Sequence, residues 1–229
     1  MIAVAILAAG QGQRFGRRPL PKQFETIAGK PVFVYSVELY RGLESVGPLL
    51  LVAHPELIDE TAECLVRFGC ADGVTVVAGG ETRRASIANA VHWLMEHGSM
   101  ADDDSIILQN AASPNTREEL VRRCIEVARN ADAVQAYMPE LRTVFAMESD
   151  TVSSVLRRGQ HAVSCDPTIY RFHVLREALD SQSRFDLPGD ATTDIVSALG
   201  YTIQLVCSDH DNIKITTRWD LAAVADAMR

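Results

Sequence analysis

No apolar stretch of this 229-residue chain is long enough to cross a bilayer. The longest, Ile2 to Ala9 and Pro48 to Ala53, fall far short of the roughly 20 residues a spanning helix needs. No basic region precedes a signal-like apolar core either, so a cytoplasmic protein without a membrane partner is expected. Cysteine is sparse. The five (Cys64, Cys70, Cys124, Cys165, Cys207) are odd in number, scattered, and never in a tight pair of metal-ligand spacing. That excludes a disulfide framework or a zinc ribbon and leaves reduced, mostly structural thiols. The six histidines (His54, His92, His97, His161, His173, His210) also lack metal-ligand spacing. Positive charge is in deficit: a formal net charge of −8 argues against a nucleic-acid groove, which needs clustered cations. A small anionic ligand held by a few local cations remains open. Repeats, low-complexity runs and composition breaks are missing too, so a single domain over 1–229 is expected.

What is present alternates between two periodicities. Met1 to Ala8 is a near-continuous apolar run ending in Ala8, Ala9 and Gly10, the pattern of a buried parallel strand entering a loop. Pro31 to Leu43 repeats apolar residues at helical spacing. Pro48 to His54 predicts a second buried strand, and Pro55 to Phe68 a helix with Pro55 in its first turn. Val74 to Ala78 follows as strand, Thr82 to His97 as helix, and Ser105 to Gln109 as strand; another helix starts near Thr116, and Ala133 to Met138 is a further strand. This alternation predicts an α/β fold, a Rossmann-like, mostly parallel sheet flanked by helices. The pattern then changes. Leu141 to Cys165 has β-branched residues without a helical stripe, which predicts a β-arm at about 139–166 of the kind that commonly packs on a partner subunit. Arg171 to Leu179 and Ala191 to Leu199 return to helix, Thr202 to Cys207 is a late strand, and Arg218 to Met228 closes the chain.

The strongest chemical signal is the run Ala8, Ala9, Gly10, Gln11, Gly12, Gln13, Arg14, Phe15, Gly16, followed by Pro21, Lys22, Gln23. A strand ending in small residues lets backbone N–H groups approach phosphate oxygens, and Arg14 and Lys22 supply opposing charge. The run lacks the Lys-Ser or Lys-Thr pair of a Walker loop and the third glycine of the dinucleotide fingerprint. On spacing alone it fits several phosphate binders, or a tight turn with two solvated cations. Gly79 to Ser86 reads as a strand end, a glycine turn and a helix start with Thr82 as a cap. Its backbone and Ser86 suit a base edge, while Arg83 and Arg84 could simply solvate a helix face.

With these segments in view, the chain resembles the cytidylyltransferases typified by 2-C-methyl-D-erythritol 4-phosphate cytidylyltransferase and the related ribitol phosphate enzymes. Four segments carry the likeness nearly end to end: AAGQGQRFG with PKQ, GGETRRASIANA at Gly79 to Ala90, QNAASP at Gln109 to Pro114, and TTD with DNIKIT. The resemblance implies that Ala8, Ala9, Gly10, Gln11 and Gly12 wrap the triphosphate of CTP while Arg14 and Lys22 stabilise charge as pyrophosphate leaves. It implies that Gly80, Glu81 and Ser86 contact the cytosine, and that Lys214 reaches the α-phosphate. For the acceptor, a small phosphate or phosphonate, it points to Arg142, Thr143, Thr193 and Asp194. Arg157 or Arg158 matches an arginine sent from the arm into a neighbouring subunit of a homodimer; the alternative is two solvated arginines in a turn.

The likeness breaks where the family usually carries His-Asp-Ala-Ala-Arg-Pro after its fourth strand. Here stand Gln109, Asn110, Ala111, Ala112, Ser113, Pro114. The family's aspartate holds Mg²⁺, so either Asn110 keeps a weakened ligand role or the metal leans on the triphosphate and on Asp211. Restoring a carboxylate by Asn110→Asp is then expected to tighten Mg²⁺. In the arm, Arg142, Thr143, Val144, Phe145 replace Asp-Thr-hydrophobic-Lys, and Ile195 follows Asp194 where an acid is usual. Cys165, Asp166 and Pro167 replace acceptor-loop residues. The nucleotide half is thus kept more faithfully than the acceptor half. Two functions follow: a cytidylyltransferase for a small phosphate or phosphonate, or a nucleotide-binding regulatory protein with weak catalysis.

Overall fold

A strand covered on both faces has no polar side to show, and β1 (Ile2–Ala8) has none. Val4, Ile6 and Ala8 enter one core, Ala3 and Ala5 the other. The computed structural model describes residues 1–10, 12, 15, 20–97, 100–181, 185 and 192–228. The remaining strands are β2 (Thr26–Ile27), β3 (Lys30–Pro31), β4 (Leu49–Ala53), β5 (Val74–Ala78), β6 (Ser105–Asn110), β7 (Ala133–Pro139), β8 (Phe145–Glu148), β9 (Thr151–Val155), β10 (Ala162–Arg171) and β11 (Ile203–Cys207). The helices are α1 (Val32–Arg41), α2 (Ile58–Arg67), α3 (Arg83–His97), α4 (Glu118–Ala128), α5 (Phe172–Asp180), α6 (Thr192–Ala198) and α7 (Arg218–Ala227).

Seven strands form one sheet in the order β11-β7-β10-β6-β1-β4-β5. All neighbours pair parallel except β10, which runs antiparallel between β6 and β7. The expected mostly parallel α/β sheet is therefore what the chain forms. Buried residues of α1, α2 and α4 fill the core on one face of the sheet, and those of α3, α5 and α6 the core on the other. A third cluster joins Val224 of α7 to Ile215, Ala112 and Val32.

β10 is where the sequence reading differs from the structure. An arm was expected to Asp166 and a helix from Arg171, yet the chain between them is a buried central strand. Pro167 makes the segment look broken, because proline cannot donate to a ladder. It is tolerated because the β10–β7 register shifts between Ser164 and Thr168, leaving an irregularity at the proline. The arm proper is the hairpin β8–β9, which exposes Phe145, Met147, Val152 and Val155.

Candidate active site

Because β1, β4, β5 and β6 are parallel, their carboxyl ends share one edge of the sheet, the edge at which open α/β sheets bind ligands. A cleft of about 910 Å³ opens there, lined by Ala8, Ala9, Gly10, Gly12, Lys22, Gly79, Gly80, Glu81, Ser86, Asn110 and Lys214 among others. The first loop is fixed from below. Gln23, 3% exposed, donates through Nε2 to the Ala8 carbonyl and, at 3.2 Å, to the Gly10 carbonyl. Those bonds hold the Ala8 and Gly10 carbonyls against Gln23. Gly12 sits at φ +66, a left-handed conformation that favours glycine, and packs on the Lys22 stem. Lys22 Nζ donates to the Ile215 carbonyl at 2.5 Å, which brings the loop's lysine to the segment that carries Lys214.

The second glycine turn closes against the first. A Cβ on Gly79 would lie 2.4 Å from Ala9 Cβ, and one on Gly80 2.5 Å from Ala85 Cβ, so both positions need glycine. Thr82 caps α3 as expected, its Oγ1 accepting from Ala85 N at 3.0 Å. Ser86 Oγ accepts from Gly80 N at 3.1 Å and lies 3.0 Å from the Thr82 carbonyl. Its hydroxyl therefore braces the turn at the cleft wall. Two residues that the sequence reading set aside also stand here. His54 lines the cleft with its Nδ1 accepting from Glu56 N at 3.3 Å. Arg83, at the start of α3, reaches the cleft and the pocket beside it.

That neighbouring pocket, of about 460 Å³, is lined by Ser164, Cys165, Asp166, Thr168, Tyr170, Thr193 and Asn212 among others, and shares Arg83, Asn110 and Lys214 with the first. The two clefts thus meet at two cations and one carboxamide. Asp166, 4% exposed, lies behind the carboxamide. Asn110 Nδ2 donates to Asp166 Oδ1 at 2.7 Å and Oδ2 at 3.0 Å, Asn110 N donates to Oδ1 at 3.1 Å, and Ser113 Oγ donates to Oδ2 at 2.5 Å. On the other side Lys214 Nζ donates to Asn110 Oδ1 at 3.1 Å. A buried network supports this group. Asn212 Nδ2 donates to the Asp166 carbonyl at 2.6 Å, Gln109 Nε2 donates to Thr116 Oγ1 at 3.0 Å, and Tyr40 donates to Gln109 Oε1 at 2.9 Å. Burial, with Asp166 nearby, pushes the Tyr40 phenol well above its ordinary range.

Most of the expected nucleotide residues come together here; Gln11 and Arg14 lie outside the described residues. On the acceptor side only Thr193 lines a cleft, hydrogen-bonded to Tyr170 Oη at 3.0 Å, whereas Asp194 is exposed in the first turn of α6. Arg142, Thr143, Arg157 and Arg158 sit on the exposed arm and line neither cleft. Arg142 pairs with Glu140 at 2.8 Å, and Arg158 donates to Thr143 Oγ1 at 3.2 Å. Asp211 lines neither cleft: its Oδ2 lies 2.5 Å from Arg117 Nη2, which also pairs with Asp209. The carboxylate beside Asn110 is Asp166 instead. Continuing the β10–β6 register, in which Thr168 faces Leu108, sets Asp166 across from Asn110, a pairing visible only once β10 is recognised as a strand. Cys165 lines the smaller cleft, and burial above all pushes its thiol up to about 11.

The glycine-walled cleft thus meets a second polar pocket at two cations, an arrangement suited to nucleotidyl transfer. The family model described as 2-C-methyl-D-erythritol 4-phosphate cytidylyltransferase matches residues 2–229. Ribitol-5-phosphate cytidylyltransferase of Lactiplantibacillus plantarum is 27% identical over 231 residues, covering 100% of this chain and 98% of that protein. A crystal structure of 4-diphosphocytidyl-2C-methyl-D-erythritol synthase matches with a TM-score of 0.81 at 25% identity, covering 100% of this chain and 98% of that one. The corresponding synthase from Anaerococcus prevotii, at 19% identity, matches in fold with a TM-score of 0.83 over 100% of this chain and 96% of its own. The chain belongs to the 2-C-methyl-D-erythritol 4-phosphate cytidylyltransferase family, whose members are CTP-dependent nucleotidyltransferases, and is an enzyme of that class.

Proposed function

We propose that this enzyme transfers CMP from CTP to a small polyol phosphate or phosphonate and releases pyrophosphate. The observation that carries this reading is the junction of the two clefts at Arg83, Asn110 and Lys214. CTP fits the larger cleft, its triphosphate along Ala8 to Gly12 and Lys22, its base against Gly80, Glu81 and Ser86. The acceptor fits the smaller. A phosphate oxygen of the acceptor attacks the α-phosphorus in line, a new P–O bond forms, and the bond to the β-phosphate breaks with its electron pair leaving on pyrophosphate. Such a reaction needs little acid–base machinery and a strong positive field, which Lys22 and Lys214, with Arg14, supply.

Asp166 orients the acceptor by exclusion. An anionic group is repelled from that side of the smaller cleft and favoured at Arg83 and Lys214, where attack takes place. The hydroxyls of Ser164, Thr168, Tyr170 and Thr193 suit a hydroxyl-rich body. That chemistry agrees with the ribitol phosphate named for the Lactiplantibacillus relative. Magnesium asks for oxygen ligands. Among the described residues no three acidic, histidine or cysteine side chains gather to hold it, and Asn110 Oδ1 already meets the Lys214 ammonium, so the triphosphate oxygens would be its main ligands. Bound there, the ion would neutralise phosphate charge as the bond breaks. The apolar hairpin β8–β9 suits contact with a second copy, a dimer in which Arg157 or Arg158 serves the neighbouring site. Among the described residues no helix is long and apolar enough to cross a membrane.

The test is pyrophosphate release from CTP and Mg²⁺ across a panel of polyol phosphates, phosphonates and other phosphorylated metabolites. Turnover with one polyol phosphate or phosphonate supports the reading. CTP binding without turnover on any acceptor would favour a regulatory homologue instead.

A further inference from the structure

The Asn110 carboxamide is held between a group that only accepts and a group that only donates. Asp166 takes both of its nitrogen contacts, and the Lys214 ammonium meets its oxygen. Turning the amide over would set Nδ2 against an ammonium and Oδ1 against a carboxylate, so both ends select the same orientation. Asp166 is itself held firmly, since Asn110 N and Ser113 Oγ complete its hydrogen bonds and Asn212 ties its backbone. The charge of Asp166 therefore acts on Lys214 through a neutral amide. A carboxylate at position 110 would contact that ammonium directly and compete with phosphate for it. A carboxylate one side chain further back fixes the amide oxygen toward the ammonium without contacting the ammonium itself.

We propose, resting on the cytidylyltransferase reading, that Asp166 is a positioning residue for nucleotidyl transfer: it locks the Asn110 carboxamide with its oxygen toward Lys214 and so holds that ammonium where the two clefts meet. The arrangement changes what Asn110→Asp should do. It places a second carboxylate against Asp166 in a buried site, so the substitution disrupts the junction and does not simply tighten magnesium.

The test is a cycle of Asp166→Asn, Asn110→Asp and the exchange Asn110→Asp/Asp166→Asn. Melting temperature and steady-state pyrophosphate release are measured for each with an acceptor that the wild type uses. Losing an orienting partner behind a site residue costs about 10- to 100-fold in activity. Each single variant is expected to lose kcat on that scale, with the KM for CTP changing less. The exchange removes the two facing carboxylates of Asn110→Asp and restores a donor facing an acceptor, so it is expected to recover part of the loss, the remainder reflecting the carboxylate that then meets Lys214. Added to Asn110→Ala, Asp166→Asn is expected to lower kcat no further, because Asp166 acts through the amide. Wild-type kcat in Asp166→Asn, or an exchange variant that folds but is no more active than Asn110→Asp alone, overturns the proposal. Should Asp166→Asn not fold, the exchange against Asn110→Asp decides it. A wild type that releases no pyrophosphate from CTP with any acceptor refutes the cytidylyltransferase reading, whereas an active wild type with an indifferent Asp166→Asn refutes only the role of Asp166.

Discussion

Replacing Gly79 by alanine tests whether the two glycine turns form one wall. The added Cβ would lie 2.4 Å from Ala9 Cβ, 3.0 Å from Ser86 Oγ and 3.1 Å from the Ala53 carbonyl. Carbon atoms in contact settle about 3.5–4.0 Å apart, so the turns must part by roughly 1 Å or more. Neither methyl can rotate away, because a Cβ moves only with its backbone. The backbone here is pinned, since Gly79 N donates to the Ala53 carbonyl at 2.7 Å and Gln23 holds the carbonyls on either side of Ala9. Overpacking of this kind costs about 1–3 kcal/mol. At roughly 2–4 °C per kcal/mol for a chain of this size, the melting temperature should fall by about 2–12 °C. The shift that CTP adds should shrink as well, because the displaced turns line its cleft. Ala9→Gly on the Gly79→Ala background removes the worst clash and should regain part of the loss. Recovery stays incomplete, because the contacts to Ser86 and Ala53 persist and a second glycine loosens the unfolded chain by about 0.5–1 kcal/mol. Differential scanning calorimetry with and without CTP measures all of this. A Gly79→Ala protein with wild-type melting temperature and CTP shift would show that the turns are not in contact and that this account of the cleft wall is wrong.

Lys22→Ala should leave the fold intact and lower kcat by roughly a hundred- to a thousand-fold, the loss of about 3–4 kcal/mol expected when a charge-stabilising group is removed; near-normal turnover would take the first loop out of the mechanism. CTP should raise the melting temperature more than ATP, GTP or UTP does, since a ligand bound only by the folded state stabilises it by mass action, and equal shifts would sink the cytosine assignment. Iodoacetamide at pH 8 should label exposed Cys207 first and spare Cys165 and Cys124, whose thiols burial pushes up to about 11 and about 12; mass spectrometry finding Cys165 modified first would contradict its burial.

What was legible in the sequence follows from where the information lies along the chain. β1 and its glycine loop declare themselves because burial, small residues and cations fall in one unbroken run, as do Gly79 to Ser86 with the Thr82 cap. β10 does not, because its place is set by partners on both sides while its own Pro167 reads as a break. The Asn110–Asp166 contact joins residues 56 apart in sequence and depends on that strand. Asp211 and Lys214 are three residues apart and equally plausible at a phosphate site. Only the path of the segment, with Asn212 and Ile215 buried, sends Lys214 to the cleft and leaves Asp211 to Arg117.

The departures from the family pattern look independent on the chain, yet the fold makes them one unit. Asn110 and Ser113 replace an acid and an arginine, and both now donate to Asp166. A carboxylate at 110 would contact Lys214 directly, at the place where Asn110 Oδ1 now accepts from it. Drawn back to 166, it satisfies the serine and the amide, and the junction presents to its ligands a neutral oxygen flanked by Arg83 and Lys214. In this network Lys214 thus meets a neutral amide oxygen, with the Asp166 carboxylate one side chain further back. The pocket proposed for the acceptor borders Asp166, so substitutions around that carboxylate are expected to act on acceptor choice more than on CTP binding.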